Sequence, residues 1–306
     1  MRRLWAVAVL LLVAGAAAGQ EEEWRRPSGE FGVRYWLSTG TTKHSHNAQG
    51  LVPSAGNPTS TLTYENLDAN VLEIFGRQVF AQDWFLKGNL GWGRINTGLF
   101  TDEDFAAGQV KFSETTSAVP KGWLGYGTID LGYQWVRREG AVRLGVFAGY
   151  TQWTEYVDAH GATDKLGFIG GNIPTSVTVI SNKAIWQALR VGFAGDLAIS
   201  RRAWFSVDLA AVPYALIRNE DSHHLRQGTF GPPPNIFIEG TGYGVQADAE
   251  VRYAISRRTE VGLGVRYWYL RATHGDRKLN IDFPDLPIVE IYSERFGALL
   301  SLRRTW

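Results

Sequence analysis

The sequence predicts an all-β fold: a transmembrane antiparallel β-barrel of about ten strands, with short periplasmic turns and five long extracellular loops. Three observations lead there. Long segments alternate apolar and polar residues with a period of two. Short polar turns alternate with longer Gly-, Pro- and Asn-rich segments, and no stretch beyond residue 19 is apolar for long enough to cross a membrane as a helix. A bilayer core offers the backbone no water, so a chain that crosses it without helices must close into a barrel.

The first residues set the compartment. Arg2 and Arg3 precede an apolar run over 4–18 that ends in Ala16, Ala17, Ala18 and Gly19. That is the layout of a secretory signal peptide. The alternative, a membrane anchor, needs about 20 apolar residues. Residues 1–19 are therefore expected to be a signal peptide and 20–306 a single barrel domain. The chain has no cysteine, which excludes disulfides and thiolate catalysis. With 31 basic and 30 acidic residues, the balance gives no case for nucleic acid, which selects a concentrated basic surface.

The strands show themselves by their faces. Ile129, Leu131, Tyr133 and Trp135 alternate with Asp130, Gly132 and Gln134. Val142, Leu144, Val146, Ala148 and Tyr150 alternate with Arg143, Gly145, Phe147 and Gly149. Tyr243, Val245, Ala247, Ala249, Val251 and Tyr253 oppose Gln246, Asp248, Glu250 and Arg252. Val261, Leu263, Val265, Tyr267 and Tyr269 oppose Glu260, Gly262, Gly264, Arg266 and Trp268. Successive strand side chains point to opposite faces. These runs reach the ~9–11 residues that cross a bilayer at a tilt, beyond the usual ~5–6 of soluble strands. Aromatic residues near their ends suit interfacial girdles.

Short turns fall near 82–83, 137–140, 200–202 and 256–258; the longer segments are 41–60, 102–121, 157–176, 219–238 and 273–289. The last strand, about 291–306, alternates Phe296, Ala298, Leu300 and Leu302 and ends on Trp306. A ring of this size is too narrow for an open pore. Its inward Arg, Asp, Glu and Gln are expected to fill the lumen as a paired network, because buried charges must be paired.

Topology brings two loops together. The second long segment opens on Thr101-Asp102-Glu103-Asp104 and the fourth on Asn219-Glu220-Asp221-Ser222-His223-His224. An even number of strands separates them, so both emerge at one end of the barrel. Asp102 and Asp104 share a strand face, as do Asp221 and His223. Two close carboxylates do not both ionise easily, so such a pair holds a proton. A carboxylate beside a histidine fixes its tautomer and stabilises its charged form. A water between the pairs would meet a general base on one side and a proton for a developing oxyanion on the other. Each cluster also fits plain solvated loop charge, and together they have the residue types of a Ca²⁺, Zn²⁺ or Mn²⁺ site.

These pieces, in this order, resemble the omptins, outer-membrane endopeptidases of Gram-negative bacteria whose ten-stranded barrel carries a D-x-D and a D-x-H. Residues 142–150 resemble the family's fifth strand. Leu62-Thr63-Tyr64, Leu86-Lys87-Gly88 and Gly40-Thr41-Thr42-Lys43 resemble parts of its second, third and first strands. The resemblance implies catalytic roles for Asp102, Asp104, Asp221 and His223, with no metal and no cofactor. It implies a polypeptide substrate, a monomer, and an active site facing the cell exterior. Two departures stand out. Where the family holds a basic substrate side chain with two acids, this chain has Asn219 and His44, so specificity for basic residues is not expected to carry over. Glu220 is adjacent but belongs to the other face. The family also needs lipopolysaccharide for activity. Here Gln152 and Thr154 stand where a lipid-binding arginine is expected, and Arg190 on the neighbouring strand is the remaining candidate.

Three functions compete. One is an endopeptidase using an activated water, since no serine lies in a recognisable nucleophile motif. Another is a non-catalytic barrel acting as an adhesin or binding protein, for which the Phe230-Gly231-Pro232-Pro233-Pro234 loop is suited. The third is a metal-dependent lipid hydrolase.

Overall fold

The computed structural model describes residues 27–137 and 141–306. The expected signal peptide, 1–19, lies outside the described residues, as does most of the turn at 137–140. Among the described residues ten strands form one closed antiparallel ring: β1 Gly29–His46, β2 Ser60–Phe80, β3 Trp84–Ala106, β4 Val110–Arg137, β5 Val142–Asp164, β6 Ile173–Ser200, β7 Ala203–His223, β8 Ile236–Ser256, β9 Thr259–Leu279 and β10 Leu286–Thr305. Each pairs with its sequence neighbours. β1 closes on β10 over a register running from Glu30 opposite Thr305 to Lys43 opposite Tyr292, which leaves no sheet edge.

The outward face carries a belt of exposed apolar side chains, among them Leu72, Leu90, Ile129, Val146, Leu189, Leu263 and Leu300. Aromatic residues border it: Trp84, Trp135, Tyr253 and Trp306 toward the turn end, Trp92, Tyr150, Tyr214 and Tyr243 toward the loop end. Tyr243 to Tyr253 spans ~34 Å of strand, or about 25 Å of height at the usual barrel tilt. That matches the apolar thickness of a membrane barrel.

The lumen is filled. Arg266, with no exposed side-chain surface, donates to Glu73 at 2.7 Å, to Asp248 at 2.7 and 2.9 Å, and to the Tyr126 hydroxyl at 2.8 Å. Toward the turn end, Arg252 and Arg303 gather Glu30, Asp196 and Glu250. A small polar cavity of about 130 Å³ remains among these charges. Above them a layer of Trp36, Trp153, Trp186 and Trp268, all essentially buried, closes the lumen. Trp268 packs against Trp36, Tyr126 and Trp153 at ring separations of 5.3, 4.7 and 5.8 Å. Arg295, bonded to Glu155 at 2.6 and 2.8 Å, reinforces this floor. The expectation of a paired interior network holds.

At the loop end the hairpins run well past the apolar belt. The segments expected as loops are strand at both ends, 102–121 almost throughout, and the connections shrink to 47–59, 107–109, 165–172, 224–235 and 280–285. The sequence reading stopped the strands where the apolar face stops; the ladder continues because β pairing needs no lipid. The first connection folds onto the β3–β4 hairpin, where Ala107 and Phe105 donate backbone bonds to Ser54 and Thr59 at 2.8 and 2.9 Å. Gly56 and Gly108, both with positive φ, meet there with no room for a Cβ.

Arg266 holds two acids in the membrane interior, so its removal leaves uncompensated charge. Arg266→Leu should cost about 3–5 kcal/mol in urea unfolding of the vesicle-inserted barrel. Adding Glu73→Leu should recover part of that loss.

Candidate active site

Three irregularities set which residues face the mouth. On β3 within the belt, odd-numbered Phe85 and Ile95 face in, while Trp84 and Trp92 are exposed. Asn96 and Thr97 are both exposed, the β2 register shifts at Glu65–Asp68, and Asn66 takes φ 53°. Beyond this bulge even-numbered Phe100 is buried, so Asp102 and Asp104, on its face, turn inward. β7 does the same at Pro213 and Tyr214, both exposed, where the β8 register jumps from Val212 to Ala215. Proline cannot donate to a ladder and is confined to such places. Before it Ala210 and Val212 are buried; after it Asn219, Asp221 and His223 are. On β9 the switch lies between Ala272 and Gly275, and turns Arg277 inward.

The centre of the site is Asp221, which has no exposed surface. Its Oδ2 lies 3.1 Å from His223 Nε2 and 3.9 Å from His44 Nε2. Asn235 clamps the histidine backbone, accepting from His223 N–H at 2.8 Å and donating to its carbonyl at 3.1 Å. The Phe230 ring stands edge-on to the imidazole at 5.5 Å. His224 points away and meets Ser181 Oγ at 2.8 Å, so His223 is the partner of Asp221. Burial alone would raise the Asp221 pKa, but His223 and its hydrogen bond, then His44 and Arg277, hold it below the usual carboxylate range.

Asp102 behaves oppositely. Its Oδ1 is buried without a partner. Burial first, then the Asp104 charge, pushes its pKa up to about 6, and His223 and Asp221 also act on it. His44 sits between the two groups: Leu62 pairs with His44 on one side and Asp102 on the other. Burial lowers His44 to about 4 and outweighs the pull of Asp221, so its imidazole is neutral near pH 7. All four expected catalytic residues and His44 thus stand at one mouth.

Asn219 is also buried there, but its amide is engaged. It exchanges hydrogen bonds of 3.0 and 3.1 Å with Asn182. Glu220 turns outward to Arg218 and Lys183 and does not replace the missing acid. Arg190 is a correction. Rather than facing lipid, it points into the lumen, buried between Asp208 at 2.9 Å and Asp130 at 3.4 Å, because its strand parity matches the inward face of β6 in the belt. Sequence reasoning missed His46, Arg277 and Asn235, all buried here. Each falls in a segment read as loop, where no face could be assigned. Among the described residues no group of three or more His, Asp or Glu side chains is arranged to hold a metal ion.

The fold is that of bacterial outer-membrane β-barrels. The outer membrane protease OmpT from Escherichia coli matches with a TM-score of 0.73 at 14% identity, over 91% of this chain and 96% of that one. The toluene transporter TbuX of Ralstonia pickettii gives a TM-score of 0.31 at 11% identity, over 92% and 90% of the two chains. The translocator domain of the autotransporter NalP from Neisseria meningitidis gives 0.34 at 8%, over 90% and 88%. No protein-family model matches the chain, and no curated protein matches it in sequence.

The proximity of the two aspartates has a direct consequence. Asp104→Asn removes a charge that raises Asp102, so the Asp102 midpoint should move down from about 6 toward the ordinary carboxylate range. Carbon NMR of labelled aspartate, assigned with Asp102→Asn, reads this. An unmoved midpoint would place the two carboxylates too far apart to share a proton.

Proposed function

We propose that this chain is an outer-membrane endopeptidase that hydrolyses peptide bonds with a water activated at the barrel mouth. The observation that carries the reading is the buried Asp221–His223 couple, 3.1 Å apart, at the same mouth as a carboxylate whose pKa is raised. With Asp221 ionised, the proton of the imidazole sits on Nε2, and Nδ1 offers a lone pair to water. His223 takes a proton from the water as its oxygen attacks the peptide carbonyl carbon. The Asp102–Asp104 pair donates its shared proton in a hydrogen bond to the developing oxyanion. Collapse breaks the C–N bond, and the imidazolium returns its proton to the leaving amine. No covalent enzyme intermediate forms.

The likeness to OmpT in fold and the omptin-like motifs support this assignment, with the mouth on the cell exterior, a monomeric barrel and a polypeptide substrate. Lipopolysaccharide is the proposed lipid partner. A second reading, a binding barrel, draws on the exposed apolar residues Phe168, Ile169, Leu225 and Phe283 on the loops.

The test is cleavage of a diverse peptide pool by the refolded barrel with lipopolysaccharide. His223→Ala should lower the rate by about 10²–10⁴-fold while the barrel stays folded and heat-modifiable on gels. Cleavage should also weaken as pH rises through about 6, where Asp102 loses its proton. Equal rates in wild type and variant would sink the protease reading, and loop truncations would then be the place to look for binding.

A further inference from the structure

Arg277 is the least explained charge in the molecule. It lies on β9 above the apolar belt with only 8% of its surface exposed. Among the described residues its side chain makes no hydrogen bond or ion pair, and its sole close aromatic neighbour is Phe230, 5.9 Å from the guanidinium carbon. Every other strongly buried arginine among the described residues is in ion-pair contact with a carboxylate: Arg266, Arg295, Arg303, Arg190 and Arg252 each have one or more. A guanidinium presents five fixed donors; those of Arg277 have no acceptor among the described residues, yet none of its nitrogens is wholly sealed off.

Its position is defined by register. Arg277 pairs with Ile238 on β8, and Ile238 pairs with Asn219 on β7. Arg277 and Asn219 are therefore two strand spacings apart, about 10 Å between Cα atoms, on the same inward face. On the other side Leu286 of β10 pairs with Arg277, and Ile288, two residues on, pairs with His46 of β1. The arc β1–β10–β9–β8–β7 thus presents His46, Arg277 and Asn219 in sequence. It contributes one acid to the mouth, Asp221, hydrogen-bonded to His223 and 3.9 Å from His44; the charges of Asp221, Asp102 and Asp104 act on Arg277 only from beyond ion-pair distance. The nitrogens of His44 and the Nδ1 of His46 are buried without partners. Asp102 and Asp104 stand on the opposite arc, β2–β3. The mouth has an acidic side and a donor side.

We propose that Arg277, flanked by His46 and His44, is a carboxylate-binding subsite that selects substrates bearing an acidic group beside the scissile bond. The inference rests on the endopeptidase reading and gives it a substrate class. A planar carboxylate matches the guanidinium fork with two parallel hydrogen bonds. Burial lowers the Arg277 pKa only to about 10, so the charge persists at neutral pH. At the two positions where the omptins hold a basic side chain with acids, this chain has His44 and Asn219, which place no negative charge against a bound carboxylate. The carboxylate could belong to an Asp or Glu side chain or to a substrate's carboxyl terminus.

Binding separates these without needing turnover. Pools of eight-residue peptides with Glu or Gln fixed at each position in turn are titrated onto the full-length folded barrel carrying His223→Ala. At one position the Glu pool should bind about 10- to 100-fold tighter than its Gln counterpart. That ratio should collapse toward one in Arg277→Gln and recover in part in Arg277→Lys, which keeps charge but loses the fork. If amidating the peptide terminus abolishes tight binding instead, the terminal carboxylate is the ligand. A ratio near one at every position with no effect of amidation, or a preference that survives Arg277→Gln in a heat-modifiable barrel, overturns the subsite. A preserved Glu preference in a wild-type barrel that cleaves nothing would keep the subsite and reject the protease.

Discussion

Closure of the strand ring in lipid is the constraint from which the rest follows. Hydrocarbon offers no partner to a backbone amide, so β1 must meet β10, and once it does every side chain faces either lipid or lumen. Residue parity decides which. The lumen of a ten-strand ring is too narrow for bulk water and too polar in this sequence to be left unpaired. Arg266 with Glu73 and Asp248, and Arg295 with Glu155, therefore become structural. The tryptophan layer above Arg266 turns the barrel from a conduit into a cup. What lies above that floor is free to serve chemistry.

The same parity rule would have sent the chemistry the wrong way. Continued unbroken from Trp92, alternation on β3 would put Asp102 and Asp104 outside. Continued from Leu209 on β7, it would put Asp221 and His223 outside as well. Bulges at Asn96–Thr97 and Pro213–Tyr214 insert one residue and reverse the facing, a role bulges often play beside sites. The third, before Gly275, turns in Arg277. All three lie at the upper edge of the belt, where ladder disruption exposes backbone to water and not to lipid. The ladder then continues far enough to bury the re-aimed carboxylates, which is why Asp102 is held near pH 6 and Asp221 is buried completely.

Much of this was legible in the sequence, because the signals were local. Period-two runs marked the strands and their faces: Phe147, Gln246, Arg266 and Trp268 all face in as read. The spacing of D-x-D and D-x-H correctly put each pair on one face. What was lost is non-local. The strand extensions past the belt carry no lipid-facing alternation, so His46, Asn235 and Arg277 were read as loop. Arg190 stood as a lipid-side candidate only for want of a register, which places it in the lumen. The bulge on β7 did leave a trace, since Val207, Leu209 and Tyr214 share the lipid face only if a residue is inserted between them, and Pro213 marks the place. The bulge on β3 left no comparable residue, and its evidence is the shifted pairing with β2.

The claim most in need of a direct measurement is that these reversals aim the two clusters at each other. The chain has no cysteine, so spin labels can be placed in pairs without background. The account predicts a shorter electron–electron distance for labels at 102 and 221 than for labels at 103 and 222, because the first pair points into the mouth and the second away from it. The reverse order would mean that alternation runs unbroken through Asn96 and Pro213, and that the carboxylates and the histidine never share a site.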